Sequence, residues 1–225
     1  MKALCLNIDS DTESWRLAQE EFTRVGLNVE RVSAVVEDNR PLAFNKSVYK
    51  AMKIAHLVED GYPITATGWK NVYDDLLLFE DDVMFDVDDF MSRTYIELMI
   101  GQAPSDYLTL HLGCNIIGVD TTVWQMPTPY NEHLARLPNC WQSHATLYSA
   151  ECVKFILDNF NPNVLDENNM IFDEWLRVNV LSQGRSYVMN PMICYQRPRR
   201  SAIWNCDSDY TGCHKQGNEY LKTLV

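Results

Sequence analysis

The sequence predicts an α/β fold, a Rossmann-like and mostly parallel sheet flanked by helices. Three observations lead there. The chain opens strand–helix–strand. Its centre holds the continuous apolar run Leu76-Leu77-Leu78-Phe79, the mark of a strand covered on both faces. Segments of strand and helix character then alternate toward the C-terminus. A length of 225 residues suits one domain, with residues 205–225 as a tail packed on it.

The elements follow in order. Lys2 to Ile8 is apolar enough for a central strand. Ser10-x-x-Glu13 has capping-box spacing, and Trp15, Ala18, Phe22 and Val25 recur at helical intervals up to Gly26, a C′ glycine. Asn28 to Val36 reads as a second strand through Val29, Val32, Val35 and Val36. No Gly-x-Gly-x-x-Gly follows the first strand, which argues against a nicotinamide or flavin cofactor. Asn45 suits the cap of a helix reaching about Asp60, with Val48, Met52, Ala55 and Val58 on one side. Gly61 to Asn71 reads as a loop. After the central strand, Asp86, Asp88 and Asp89 suit the cap of a helix that carries Phe90, Thr94, Tyr95 and Leu98 and ends at Gly101.

Asp106 to Leu112 is the next strand. Trp124 to Pro138 shows no period and contains Pro127, Pro129 and Pro138, so it reads as a long irregular binding loop. Ser143 to Tyr148 returns to strand, Ser149 caps a helix, and Phe172 to Leu181 forms an amphipathic one. Tyr187 to Tyr195 gives a strand pair around Pro191. A short helix near Glu219 to Leu224 closes the chain.

Composition narrows the function. Lys and Arg number 19 against 31 Asp and Glu, a net charge of −12, which repels a nucleic-acid backbone; Arg197, Arg199 and Arg200 form a local basic patch. The seven cysteines are odd in number and scattered through strand-like and helix-like segments, unlike a secreted disulfide framework. The N-terminal apolar stretch is too short for a signal peptide or membrane span, so a reducing, cytoplasmic setting is expected. Cys206 and Cys213-His214 lack the spacing of a zinc knuckle.

The chemistry concentrates in Glu80-Asp81-Asp82. Acid runs are usually solvated faces or helix caps. This one is enclosed between apolar runs, at the end of an interior strand, where bare carboxylates are costly without a counter-charge. A hard divalent cation, Mn²⁺ or Mg²⁺, suits carboxylate oxygens. If the chain stays extended, Glu80 and Asp82 share one side and Asp81 faces the other.

Several stretches then align in one order. They are Leu6-Asn7-Ile8-Asp9 with Trp15-Arg16, Val32-Ser33-Ala34-Val35, Ser47, and Leu78-Phe79-Glu80-Asp81-Asp82-Val83. Asp106 to Gly113, Ser143-His144-Ala145-Thr146-Leu147-Tyr148, Phe172-Asp173-Glu174-Trp175-Leu176, Pro191 to Gln196 and Ser201-Ala202-Ile203 complete the set. In these the chain resembles glycosyltransferase family 25, which includes bacterial lipooligosaccharide and collagen galactosyltransferases. It departs from the family pattern at Ser47-Val48, where a histidine would follow the serine, and at Ala202, where an acid would stand.

The resemblance implies a GT-A type domain over residues 1–204. It implies an inverting, metal-dependent enzyme that moves a hexose or pentose from a nucleotide-diphosphate sugar, a UDP-sugar, to an acceptor hydroxyl. Asp82 is then the expected metal ligand, assisted by Glu80, while Asp81 either holds the metal or orients a neighbour. Asp173 is the expected base, with Glu174 as alternative; His144 and His111 rank behind them. Asn7, Asp9, Arg16, Ser47 and Gln196 are candidate donor contacts. Arg197, Arg199 or Arg200 would pair with the diphosphate, or else form a solvated basic corner. The acceptor is a glycan, a protein or a hydroxylated DNA base. A non-catalytic sugar-binding relative is the rival reading. An Asp-nucleophile phosphatase is disfavoured because Glu80 stands where the nucleophile would be.

Overall fold

Leu76, Leu77, Leu78 and Phe79 are all buried, and they divide between two hydrophobic cores on opposite faces of one sheet: Leu76 and Leu78 in one, Leu77 and Phe79 in the other. That is why the run is continuous rather than alternating. The computed structural model describes residues 2–56, 75–87, 92–116, 126–165, 170–201 and 205–225. The expected Gly61–Asn71 loop, Val58, Asp88, Asp89, Phe90, Trp124, Ala202, Ile203 and Trp204 lie outside the described residues.

The first half of the chain forms β1 (Lys2–Asn7), α1 (Thr12–Arg24), β2 (Glu30–Ser33), α2 (Arg40–His56), β3 (Leu76–Glu80), β4 (Val83–Phe85), α3 (Ser92–Gly101) and β5 (Thr109–Asn115). The second forms β6 (Thr128–Pro129), β7 (Leu134–Arg136), β8 (Trp141–Tyr148), α4 (Ala150–Asn159), α5 (Phe172–Asn179), β9 (Ser186–Met189), β10 (Cys194–Gln196), β11 (Arg199–Arg200), β12 (Asp207–Ser208) and α6 (Thr211–Lys222). Among the described residues the main sheet has eight strands in the order β2-β1-β3-β8-β5-β9-β7-β6. Only β7 and β8 run against the other strands. Helices α2, α4 and α5 cover one face, and α1 and α3 the other. This is the expected α/β arrangement, with a mostly parallel sheet flanked by helices.

Local chemistry accounts for the ends. Asp11, not Ser10, caps α1: its Oδ1 accepts from the Ser14 N–H at 3.1 Å. Gly26 takes φ 70° and closes α1 as a Schellman turn, with Leu27 N–H donating to Phe22 O and Gly26 N–H to Thr23 O. Helix α2 starts six residues earlier than expected because Asn39 caps it, accepting from the Leu42 N–H at 3.2 Å. Asn45 is therefore inside the helix and fully buried; its amide donates to Met170 O at 3.0 Å and accepts from Phe172 N–H at 2.8 Å. Strand β2 is shorter than read, and Val36 is 71% exposed. Strand β5 runs later than read, from Thr109.

Three further expectations are corrected. The chain does not stay extended through the acids: β3 ends at Glu80, and Asp81 and Asp82 form a turn into β4. Asp86 is no helix cap; its N–H donates to Ile193 O and its carboxylate lies 3.2 Å from His214 Nε2. The region read as an irregular loop contains the β6–β7 hairpin on the sheet edge, where Pro129 interrupts no interior ladder. The closing helix α6 is also longer than read, and it docks through Asn218, which bonds both the N–H and the carbonyl of Met192.

Strand β10 pairs antiparallel with β4, so Gln196 lies opposite Val83. The crossing of β5 under this small sheet is tight. A Cβ on Gly113 would sit 1.9 Å from Cys194 O, so only glycine fits there. Asn45 ties α2 to the first turn of α5. Asn45→Ala should lower stability by about 2 kcal/mol in urea unfolding, because it strands a buried N–H and carbonyl; an unchanged midpoint would show that the two bonds contribute nothing.

Candidate active site

The carboxyl ends of β1 and β3, the segment following β2, and the amino end of the antiparallel β8 meet at one edge of the sheet. They open on a cavity of about 930 Å³. This is where ligands bind in open α/β sheets. Glu80, Asp81 and Asp82 all face it, because the turn at Asp81–Asp82 swings every acid toward the same space.

The three acids have different partners. Asp81 Oδ1 accepts from Arg199 Nη1 at 2.6 Å, and Oδ2 accepts from Asn7 Nδ2 at 2.6 Å. Arg199 also reaches Asp11 at 3.1 Å, so one guanidinium joins the α1 cap to the acid turn. Burial opposes the Asp11 charge, but bonds from Ser14 and Arg199 hold its carboxyl below the usual range. Among the described residues no cationic side chain forms an ion pair with Glu80 or Asp82. Asp82 is 9% exposed, and its nearest donor is Gln196 Nε2 at 3.4 Å from both oxygens. Burial pushes the Asp82 pKa up to about 6, against a pull from Arg199. Burial also raises Glu80, helped by the neighbouring charges of Asp82 and Asp173. Two carboxylates held this way lack a counter-charge that a divalent cation would supply.

Asn7 is committed on both sides of its amide: Nδ2 donates to Asp81 and to Asp11 O, and Oδ1 accepts from Arg31 at 2.7 Å. Ser47 donates to Ala43 O and accepts from the Val35 N–H at 2.8 Å, so it shapes the wall with its hydroxyl engaged. Asp173 stands in the first turn of α5, lines the cavity and is close enough to Glu80 to raise it. A helix amino end favours negative charge there. Gln196, Arg199 and Arg200 also line the cavity.

Other candidates lie outside the cavity wall. Arg16 is exposed on α1 and pairs with Glu13 and Glu20. Asp9 pairs with Arg31 at 2.8 Å. Glu174 is held by Arg177 three residues on. Arg197 donates its backbone N–H to Asp82 O at 2.7 Å, and its guanidinium reaches Asp81 O at 3.5 Å, so it braces the acid turn by main chain and side chain. His144 and His111 are buried in the sheet, where burial drives their pKa values down to about 4 and about 3, so both are neutral.

Sequence reasoning missed Asp11, Asn115, Trp141, Gln142 and Tyr210. Asn45, read as a helix cap, instead braces the start of α5 from inside α2. Among the described residues His111, Cys114 and Cys140 bring their ligand atoms within 4.8 Å of one another, close enough to hold a metal ion. The His111 nitrogens, however, already meet Thr109 and Thr146, at 3.3 and 3.1 Å. None of the seven cysteines is in a disulfide. No described helix is long and apolar enough to cross a membrane.

A raised carboxyl pKa binds protons in the folded state that the unfolded state has released. Stability from Asp82 is therefore present below its ordinary value of 3.8 and lost as pH rises through about 6. In metal chelator, the melting temperature of the wild type should fall from pH 4 to pH 7 more steeply than that of Asp82→Asn. Parallel curves would show that Asp82 is not an uncompensated acid.

A scan of protein-family models and a search of curated proteins match nothing to this chain. Solved structures do match in overall shape. One is a glycosyltransferase involved in glycosylation of the major capsid of the virus PBCV-1, at 11% identity over 98% of each chain, TM-score 0.48. Another is A197 from STIV, at 14% identity over 87% of this chain and 85% of that one, TM-score 0.46. A third is an apo UDP-glucose pyrophosphorylase, at 11% identity over the full length of both, TM-score 0.40. These likenesses are shallow, and the reading of function rests on the site.

Proposed function

We propose that this protein is a metal-dependent, inverting glycosyltransferase of the family 25 kind with a GT-A type fold. It transfers a hexose or pentose from a UDP-sugar to an acceptor hydroxyl. The observation that carries this reading is the pair of poorly solvated acids, Glu80 and Asp82, at the carboxyl end of the central strand, with no ion pair among the described residues. They face a cavity large enough for a nucleotide sugar and an acceptor together. The seven free cysteines fit a reducing, cytoplasmic setting.

The donor set fits Mn²⁺ or Mg²⁺: two hard carboxylates, poorly solvated, within one turn. Asp82 and Glu80 would hold the ion, which supplies neutralisation of the charge that develops on the departing diphosphate. The chain's other residues do the rest. Arg199, fixed by Asp81 and Asp11, adds a positioned guanidinium on the same wall. Asn7 and Arg197 N–H keep the acid turn in place. Asp173 takes the proton of the acceptor hydroxyl as that oxygen attacks the sugar, from a helix end that favours negative charge.

A screen of nucleotide sugars with added manganese, read as released nucleotide diphosphate, should find a UDP-sugar that turns over. No release from any donor would favour a non-catalytic sugar-binding protein. Asp82→Ala should abolish turnover and its dependence on metal while the protein stays folded; near-normal rates would remove the acid turn from the reaction. Asp173→Asn should slow turnover by about 100-fold or more with donor affinity nearly unchanged. Full turnover in that variant across a pH series would remove Asp173 from the base role.

A further inference from the structure

The acids of β3 stand between two unlike halves of the cavity. On the β1–β2 side Ile8, Ala34 to Val36 and Phe44 line the cavity beside the charged Glu37 and Arg40. On the β8–β5 side it is different. Trp141 lines the cavity and is 39% exposed, whereas the other large side chains of β8 are buried. Next to it Gln142 takes φ 65°, a left-handed conformation unusual for a side chain of that size inside a strand. Such strain persists where neighbours enforce it, and it clusters at ligand sites.

The neighbours are specific. Gln142 Oε1 accepts from Asn115 Nδ2 at 2.6 Å, across the register shift where β5 bulges opposite β8. The Gln142 amide also bonds the Tyr210 hydroxyl, and Tyr210 lies near enough to Asp82 to feel its charge. An apolar indole therefore adjoins a hydrogen-bonded row of amide, amide and phenol, all lining the cavity that Asp82 also lines. An indole edged with hydrogen-bonding groups matches a pyranose, which has a C–H face and a rim of hydroxyls.

We propose that Trp141, Asn115, Gln142 and Tyr210 form a carbohydrate subsite that seats the acceptor, so that the acceptor is a glycan. The donor nucleotide takes the β1–β2 half. This rests on the transferase reading for its role but not for its existence as a sugar-binding surface. The net charge of −12 opposes a nucleic-acid acceptor. The strained Gln142 is a positioning residue: it turns the strand so that indole and amide face the same space.

The experiment separates the two claims by measuring binding without turnover. Saturation-transfer NMR on the full chain with UDP and diamagnetic Mg²⁺ would use methyl glycosides of glucose, galactose, mannose, fucose, rhamnose and xylose, and 5-hydroxymethyl-deoxycytidine, as probes. At least one should receive saturation at its ring C–H protons, and Trp141→Ala should weaken that glycoside tenfold or more. Trp141→Phe, which keeps a ring, should recover most of it. No saturation of any glycoside by wild type would overturn the proposal. So would a Trp141→Ala loss confined to UDP, which would assign the indole to the nucleobase. Binding with no transfer from any UDP-sugar would uphold the subsite and defeat the transferase reading. Preferential saturation of 5-hydroxymethyl-deoxycytidine over every glycoside would assign a modified base as acceptor and overturn the glycan.

Discussion

The site is organised around one electrostatic constraint: three consecutive carboxyl groups packed at the end of a strand buried on both faces. Desolvation there is expensive, and protein charge answers only part of it. Asp81 is matched by Arg199 and Asn7. Glu80 and Asp82 have no ion pair among the described residues, and burial raises both. The molecule therefore anchors its middle acid and leaves the outer two without a matching cationic side chain among the described residues. A protein selected for stability alone gains nothing from that arrangement, which is why it reads as function.

Everything near the acids serves to hold the turn that carries them. Glu21 and Arg24 of α1 clamp the backbone of Phe85 and Val87, and Phe22 packs with Phe79 and Phe85 at centroid separations of 5.1 and 6.3 Å. β10 pairs with β4 and delivers Gln196, Arg197 and Arg199 to the same place. Asn45 fixes the start of α5, and with it Asp173. The pieces come from separate parts of the chain. Their common address is the carboxyl edge of the sheet, which every crossover must revisit.

The reversed strand β8 adds something that a purely parallel sheet lacks. It brings its amino end, Trp141 and Gln142, to the edge where its neighbours present their carboxyl ends. The cavity thus has an aliphatic and charged half beside β1 and β2, with Val35, Val36, Glu37 and Arg40, and an aromatic and amide half beside β8 and β5.

The sequence alone determined the strand that carries the acids, the helix that presents Asp173, and the α/β class. Those follow from periodicity, and periodicity is a local property of residues facing a common core. It failed where local signals compete. Ser10, Asp11, Asn39 and Asn45 are all credible caps, and only packing decides which pair with an N–H and which is drawn inside. The direction of Glu80, Asp81 and Asp82 likewise depended on a turn that β10, more than a hundred residues away, holds in place. Arg199 on Asp81 and Tyr210 on Gln142 were out of reach for the same reason. Contacts between distant segments depend on how strands are ordered across a sheet, and no short window of residues contains that order.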